Sequence, residues 1–207
     1  KFEQVQKFQD FLIKSCNAEP QWYGYSSKNP FYVERESVGA NLKQLVDQQF
    51  EAYSKGKTGE VIALYGPSGS GKSVALANLA YKVFMEKEHP VVFIPGGVPV
   101  FSNTSEQFQQ LSDLLRMIET RSKKGTCTLL IWDCSSFLDG SKLARELCSN
   151  LRNQGRRDVI LVYSAYSVNE TEKQKNCSLE ISRQFFDANE KNRFFEKMER
   201  YSGIEKE

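Results

Sequence analysis

The chain carries a single histidine, His89, and five cysteines, Cys16, Cys127, Cys134, Cys148 and Cys177, with no CxxC pair among them. So thin a set of soft ligands argues against a zinc site. The scattered spacing argues against a disulfide framework and suits a reducing, intracellular compartment, here expected to be cytoplasmic. No apolar run approaches membrane-spanning length and no signal peptide opens the chain, which begins at Lys1 and reads as part of something longer. An excess of one charge is also lacking: a net charge of +2 is far from the clustered basic excess of a nucleic-acid-binding domain. The nearest basic cluster, Arg152, Arg156 and Arg157, reads as a solvated helix end with its cations set favourably against the helix dipole. There is no internal repeat and no low-complexity tract.

What is present is a chain of 207 residues, about one large domain and long enough to bury a substantial core. Within it Gly66-Pro67-Ser68-Gly69-Ser70-Gly71-Lys72-Ser73 meets the phosphate-binding pattern GxxxxGK[ST] at every fixed position. The apolar stretch 61–65 precedes it and a helix-forming stretch that includes Val74 follows it, which is the strand, loop and helix context such a site needs. The glycines let the backbone curl around a triphosphate, so that N–H groups of residues 68–73 and the positive end of the next helix face phosphate oxygens. Lys72 would then reach the β- and γ-phosphates, and Ser73 would offer its hydroxyl to Mg²⁺. A flexible Gly/Ser loop with a chance lysine is the plainer reading, and the strand-to-helix setting argues against it. ATP is preferred over GTP because no Asn-Lys-x-Asp guanine-reading motif occurs.

Periodicity predicts helices over residues 2–18, 37–54, 72–86, 105–123, 141–153 and 189–201, and strands over 60–65, 90–94, 127–132, 159–163 and 178–181. Residues 19–32, rich in aromatics and turn formers, read as an ordered connector lying on the core. In the helix over 105–123, Phe108, Leu111, Leu115 and Ile118 trace an apolar stripe, and Thr104 with Gln107 makes a candidate capping box. Alternating strands and helices with near-continuous apolar strands predict an α/β fold, a parallel sheet sandwiched by helices. A helical extension and connector would occupy 1–30 and the nucleotide-binding core 31–207.

The strand over 127–132 ends in Asp133, at the carboxyl end where ligands of such sheets bind. Many strands end in Asp for turn reasons. Some 60 residues after a phosphate loop, however, the acid reads as the partner that would hold the Mg²⁺ shell opposite Ser73. Lys72 and Asp133 are accordingly the candidate catalytic residues.

On these residues the chain resembles the additional-strand class of P-loop NTPases, to which AAA proteins and the STAND signalling ATPases belong. Phe31-Tyr32-Val33-Glu34-Arg35-Glu36 is similar to the segment that lies against the adenine in those families, and the resemblance makes Val33 and Arg35 candidate base contacts. It covers about residues 30–163, with the phosphate loop as its specific part. Three positions depart from it. Glu34 stands where the family has glycine, and Cys134 where an active ATPase often has a second carboxylate to polarise the attacking water. Ser164-Ala165-Tyr166 replaces a sensor that ends in arginine, although Ser164 could still contact the terminal phosphate. Asp139 is a candidate substitute acid, with an N-cap role as the plainer reading. Arg183 is a candidate arginine finger, with a surface ion pair as the plainer reading.

The resemblance implies an ATP- and Mg²⁺-binding regulatory switch, in STAND relatives one that gates oligomerisation in immunity and defence. The implied partners are a second copy or flanking domains, with no membrane and no clear nucleic-acid site. Two other classes stay open. One is a hydrolysis-deficient module that holds nucleotide as a structural ligand, which Cys134 favours. The other is a divergent P-loop domain of a Crinkler-type effector or a small-molecule kinase, for which no arginine-rich lid is evident.

Overall fold

Parallel strands need a crossover of a dozen or more residues between them, and helical segments between the apolar strands of this chain supply it. The computed structural model describes residues 33–96, 105–173, 177–181 and 188–202. In chain order these form α1 (Glu36–Ser54), β1 (Ile62–Tyr65), α2 (Lys72–Glu86), β2 (Val91–Ile94), α3 (Glu106–Arg121), β3 (Thr128–Trp132), α4 (Gly140–Asn153), β4 (Val159–Ala165), α5 (Glu170–Lys173), β5 (Ser178–Glu180) and α6 (Ala188–Ser202). The five strands make one parallel sheet in the order β2-β3-β4-β1-β5. Thus β4 is inserted between the strand that leads into the loop and the strand that ends at Asp133, as the additional-strand class requires.

Successive residues of a strand face opposite sides of the sheet, and here both sides are apolar. Ile62, Leu64, Leu129, Ile131, Ile160 and Val162 face α1 and α2, meeting Leu42, Val46, Leu76, Leu79 and Val83. Ala63, Tyr65, Leu130, Trp132, Leu161 and Tyr163 face the other way, onto Phe108, Leu111 and Leu115 of α3 and Ala144, Leu147 and Leu151 of α4. The alternation therefore assigns Asp133, two residues after Ile131, to the α2 side and Cys134 to the opposite side.

The predicted element bounds hold for α2 and shift by a few residues elsewhere. β1 starts at Ile62 because the Glu60 N–H is taken by Gln49 Oε1 of α1, at 2.7 Å, instead of by a neighbouring strand. β4 runs on to Ala165, pairing with Tyr65. The cap of α3 is Ser105, whose hydroxyl accepts the Phe108 N–H at 3.2 Å, and not the expected Thr104, which lies outside the described residues. The single turn α5 was not expected. The helix over 2–18 and the connector over 19–32 also lie outside the described residues.

The basic cluster is a solvated helix end only in part: Arg152, in the last turn of α4, and Arg157 are exposed, whereas Arg156 is not. Arg156 is only 8% exposed, with Nη1 2.5 Å from Glu119 and 3.9 Å from Asp158. Arg152 reaches across to donate to the Gly59 carbonyl at 2.6 Å. The turn after α4 folds back, the Arg156 N–H bonding Leu151 O at 2.9 Å, and this carries the guanidinium inward instead of into solvent. His89 is likewise structural: its ring stacks on Phe50 at 3.8 Å and its Nδ1 lies 3.2 Å from the Cys127 carbonyl. No helix among the described residues is long and apolar enough to cross a membrane.

Candidate functional site

The loop Gly66–Ser73 leaves β1 at the carboxyl edge of the sheet and is anchored on both flanks. Gly66 N–H donates to Ala165 O of β4 at 3.2 Å, and just past β5 the Ile181 N–H donates to Tyr65 O at 2.8 Å. These bonds press the chain after β5 against the start of the loop, so that a Cβ on Gly66 would lie 2.3 Å from Ile181 O. Only glycine fits there. Farther along, Gly69 and Gly71 take φ of 75° and 89°, the left-handed turns that bend the loop into the N-terminus of α2. The Ser70 N–H closes an internal turn on Pro67 O at 3.3 Å, so this one of the expected cradle donors is turned inward. Ser68 and Gly69 are exposed, Pro67, Ser73 and Val74 half-buried, and Ser70 buried with its hydroxyl oxygen unpartnered. Val74 packs toward Ala77, beside Phe93 of β2.

Lys72 opens α2 and is 4% exposed. Its ammonium donates to Gly66 O and Pro67 O, each at 2.8 Å, and lies 5.1 Å from the centre of the Tyr166 ring. Burial holds its pKa below the usual lysine value, and the negative charge of Asp133 opposes that shift. The lysine and the acid therefore share one electrostatic environment although they are far apart in sequence.

Asp133 follows β3 and is 1% exposed, with its own N–H bound to Ile94 O at 3.0 Å. Its Oδ1 accepts three bonds: from Ser164 Oγ at 2.5 Å, from Ser135 Oγ at 2.5 Å and from the Ser135 N–H at 3.1 Å. Its Oδ2 is buried with no partner. Buried polar atoms are ordinarily hydrogen-bonded, so an orphaned carboxylate oxygen beside a phosphate loop points to a cation as its missing partner. Asp133 and Ser73 could each offer an oxygen of the kind Mg²⁺ takes.

Cys134 is 0% exposed and belongs to the apolar cluster beneath α4. Burial, and secondarily the charge of Asp133, pushes its thiol far above the usual range, so it stays neutral. It is also closed in: a Cβ on Gly140 would sit 2.9 Å from Cys134 Cβ. Asp139 is exposed at the N-cap position of α4, where its carbonyl accepts the Leu143 N–H at 3.0 Å but its side chain makes no capping bond. Arg183 lies outside the described residues.

The segment before α1 closes over the loop. Arg35 Nη1 donates to Ser70 O at 2.7 Å, and its Nε lies 4.0 Å from Glu190 Oε2 of α6. Burial lowers the Arg35 pKa, opposed by Glu190. The neighbouring Glu36 takes the opposite pairing, accepting from Arg193 Nη1 at 2.6 Å. Adjacent residues of opposite charge thus meet two residues one turn apart on α6. Glu34, where a glycine was expected, pairs with Lys82 of α2 and so fixes this segment to the helix of the loop. Val33 is half-buried beside it. Sequence reasoning missed Glu190, which is 1% exposed, and Tyr166. One glutamate among three on a highly charged helix and a tyrosine after a strand carry no local signal.

No family model matches the chain, and no curated protein matches it. Among solved structures it is similar to the Orc1 protein of Aeropyrum pernix in complex with DNA, at TM-score 0.50 and 14% identity, covering 85% of this chain and 52% of that one. It is also similar to PCH-2 of C. elegans, at TM-score 0.48 and 13% identity, covering 74% and 45% of the two chains. A third is RuvB of Thermotoga maritima, a Holliday junction branch migration motor, at TM-score 0.44 and 16% identity, covering 84% and 53%. The chain spans about half the length of these structures. At such identities the likeness concerns the fold, and the fold is that of a P-loop NTPase of the AAA type.

Proposed function

We propose that this chain binds ATP together with Mg²⁺ at the loop and uses the bound nucleotide as a switch, with slow or partner-dependent hydrolysis. The observation that carries the proposal is Asp133 Oδ2, buried without a partner on the α2 side of the sheet, in the electrostatic reach of Lys72. An unpaired carboxylate oxygen costs free energy in the interior, and a cation at that oxygen offsets the cost. Asp133 and Ser73 would hold Mg²⁺, Lys72 would clamp the β- and γ-phosphates, and loop N–H groups with the start of α2 would face the phosphate oxygens. Mg²⁺ when bound would neutralise charge on the phosphates. Val33 and Arg35 would meet the base, a reading supported by the bond Arg35 makes to the loop at Ser70.

Cys134 supports slow turnover. Hydrolysis needs a group that orients and polarises water, and a neutral thiol facing the core cannot do so. A second copy or a flanking domain could supply that group. The same thiol favours a second reading, a binding-only module that ATP stabilises by mass action. The switch reading is favoured by the double ion pair that ties α6 to Arg35 and Glu36, because a nucleotide that draws on Arg35 competes with Glu190 for it. Calorimetric titration of MgATP into the protein and into Lys72→Ala tests the assignment. Binding that weakens ~100-fold in the variant supports it, on the magnitude of charge-assisted hydrogen bonds; equal affinity in the two refutes it.

A further inference from the structure

Tyr166 stands immediately after β4, next to the Ala165 carbonyl that anchors Gly66. An ammonium has three protons to place. Lys72 gives two of them to Gly66 O and Pro67 O and sets the remaining face of its charge 5.1 Å from the Tyr166 ring centre. Lys72 is 4% exposed while the residue whose ring it meets is 40% exposed, so Tyr166 touches both the buried lysine and solvent at a site whose neighbouring loop residues, Ser68 and Gly69, are open. In this arrangement two of the lysine's three donor protons are taken up by its own chain and the remaining face meets the ring. A phosphate oxygen can reach the ammonium only after the two carbonyl bonds or the ring contact give way.

We propose that Tyr166 is a gate on Lys72: its ring holds the ammonium against the loop's own carbonyls and has to swing aside before a triphosphate is admitted, so that Tyr166 sets the rate and affinity of nucleotide entry. This rests on the reading of the loop as an ATP site. The ring is suited to the task because Tyr166 is 40% exposed and lies outside the apolar core, whereas Lys72 is buried at the first position of α2. The attraction is to the ring face and not to the hydroxyl, so phenylalanine preserves the gate and alanine removes it.

The test combines stopped-flow association of a fluorescent ATP analogue with Mg²⁺, calorimetry with unlabelled MgATP, and the NMR signal of the Lys72 ε-methylene, on the parent, Tyr166→Phe and Tyr166→Ala. The gate predicts association about tenfold faster and tighter binding in Tyr166→Ala, with Tyr166→Phe like the parent, as expected from removing a partly desolvated cation–π contact. It also predicts a ring-current shift of the Lys72 signal that persists in Tyr166→Phe and vanishes in Tyr166→Ala, a readout that needs no nucleotide. Binding in Tyr166→Ala that is unchanged or weaker than in a parent that binds ATP overturns the gate and leaves the ATP site standing. A parent that fails to bind while Tyr166→Ala binds supports the gate in its strongest form. Failure of all three proteins to bind refutes the site and the gate together.

Discussion

Ser164 of β4 donates its hydroxyl to Asp133 Oδ1 at 2.5 Å, joining the inserted strand to the end of β3 at the level of the loop. With the two bonds from Ser135, this one leaves Oδ2 as the carboxylate's open oxygen, the one that would face a cation under the proposed reading. Ser164→Ala removes one of three bonds to Oδ1 and should cost about 1–2 kcal/mol of stability, read by urea unfolding. The same variant should weaken Mg²⁺-dependent ATP affinity more than Mg²⁺-free affinity, because it loosens the hold on the carboxylate, which then rests on Ser135 alone.

Gly66 has a different vulnerability. Its Cβ would be 2.3 Å from the Ile181 carbonyl, a backbone atom that cannot step aside without pulling β5 from β1. Gly66→Ala is expected to cost at least about 2 kcal/mol and to detach the chain after β5. Hydrogen exchange checks this: the Ile181 amide, bound to Tyr65 O, should lose protection before the amides of β3 do.

The Arg156 network carries a pH signature. Burial holds the Asp158 carboxyl above the usual range, and the partner Arg156 opposes that shift. A carboxyl with a raised folded pKa contributes stability that is present below its unfolded pKa and lost as pH rises through the folded one. Arg156→Ala removes the opposing cation, raises that pKa further and extends the loss to higher pH. The variant should therefore be destabilised by about 1–3 kcal/mol near pH 8 and by less near pH 5, as measured by thermal unfolding across that range. A pH-independent deficit would contradict this account of the pair.

Turnover should be slow even where binding is tight, with kcat well below ~1 s⁻¹ for the isolated chain. Cys134→Glu is not expected to restore it. The position faces the apolar layer under α4, and a carboxylate buried there would neutralise itself or disrupt the packing against Gly140. Rapid single-turnover hydrolysis by the parent would show that some other group positions the water.

Local features of the chain were legible where they depend on neighbours in sequence. The bounds of α2 follow from the loop before it and the apolar period within it. The placing of Asp133 at a strand end follows from the run before it, and alternation explains why it and Cys134 part to opposite faces. The closeness of Gly66 to Ile181, of Arg35 to Ser70 and of Lys72 to Tyr166 was not legible, because each pair is created by tertiary packing between segments 35 to 115 residues apart. The reading of Arg156 as solvated failed for a related reason: the partners that draw it inward, Glu119 and Asp158, come together only when α3 packs beside the turn into β4. The strand order itself was reachable only through resemblance, since periodicity places strands but does not order them.

The most direct test of the account is the Mg²⁺ dependence of ATP affinity, measured by calorimetry with Mg²⁺ and with chelator, in the parent and in Asp133→Ala. The account predicts that Mg²⁺ tightens binding to the parent roughly tenfold or more, the scale of one charge-assisted contact, and has little effect on the variant. An equal Mg²⁺ response in both proteins would contradict the assignment of Asp133 Oδ2 as the cation's oxygen and, with it, the central reading of the site.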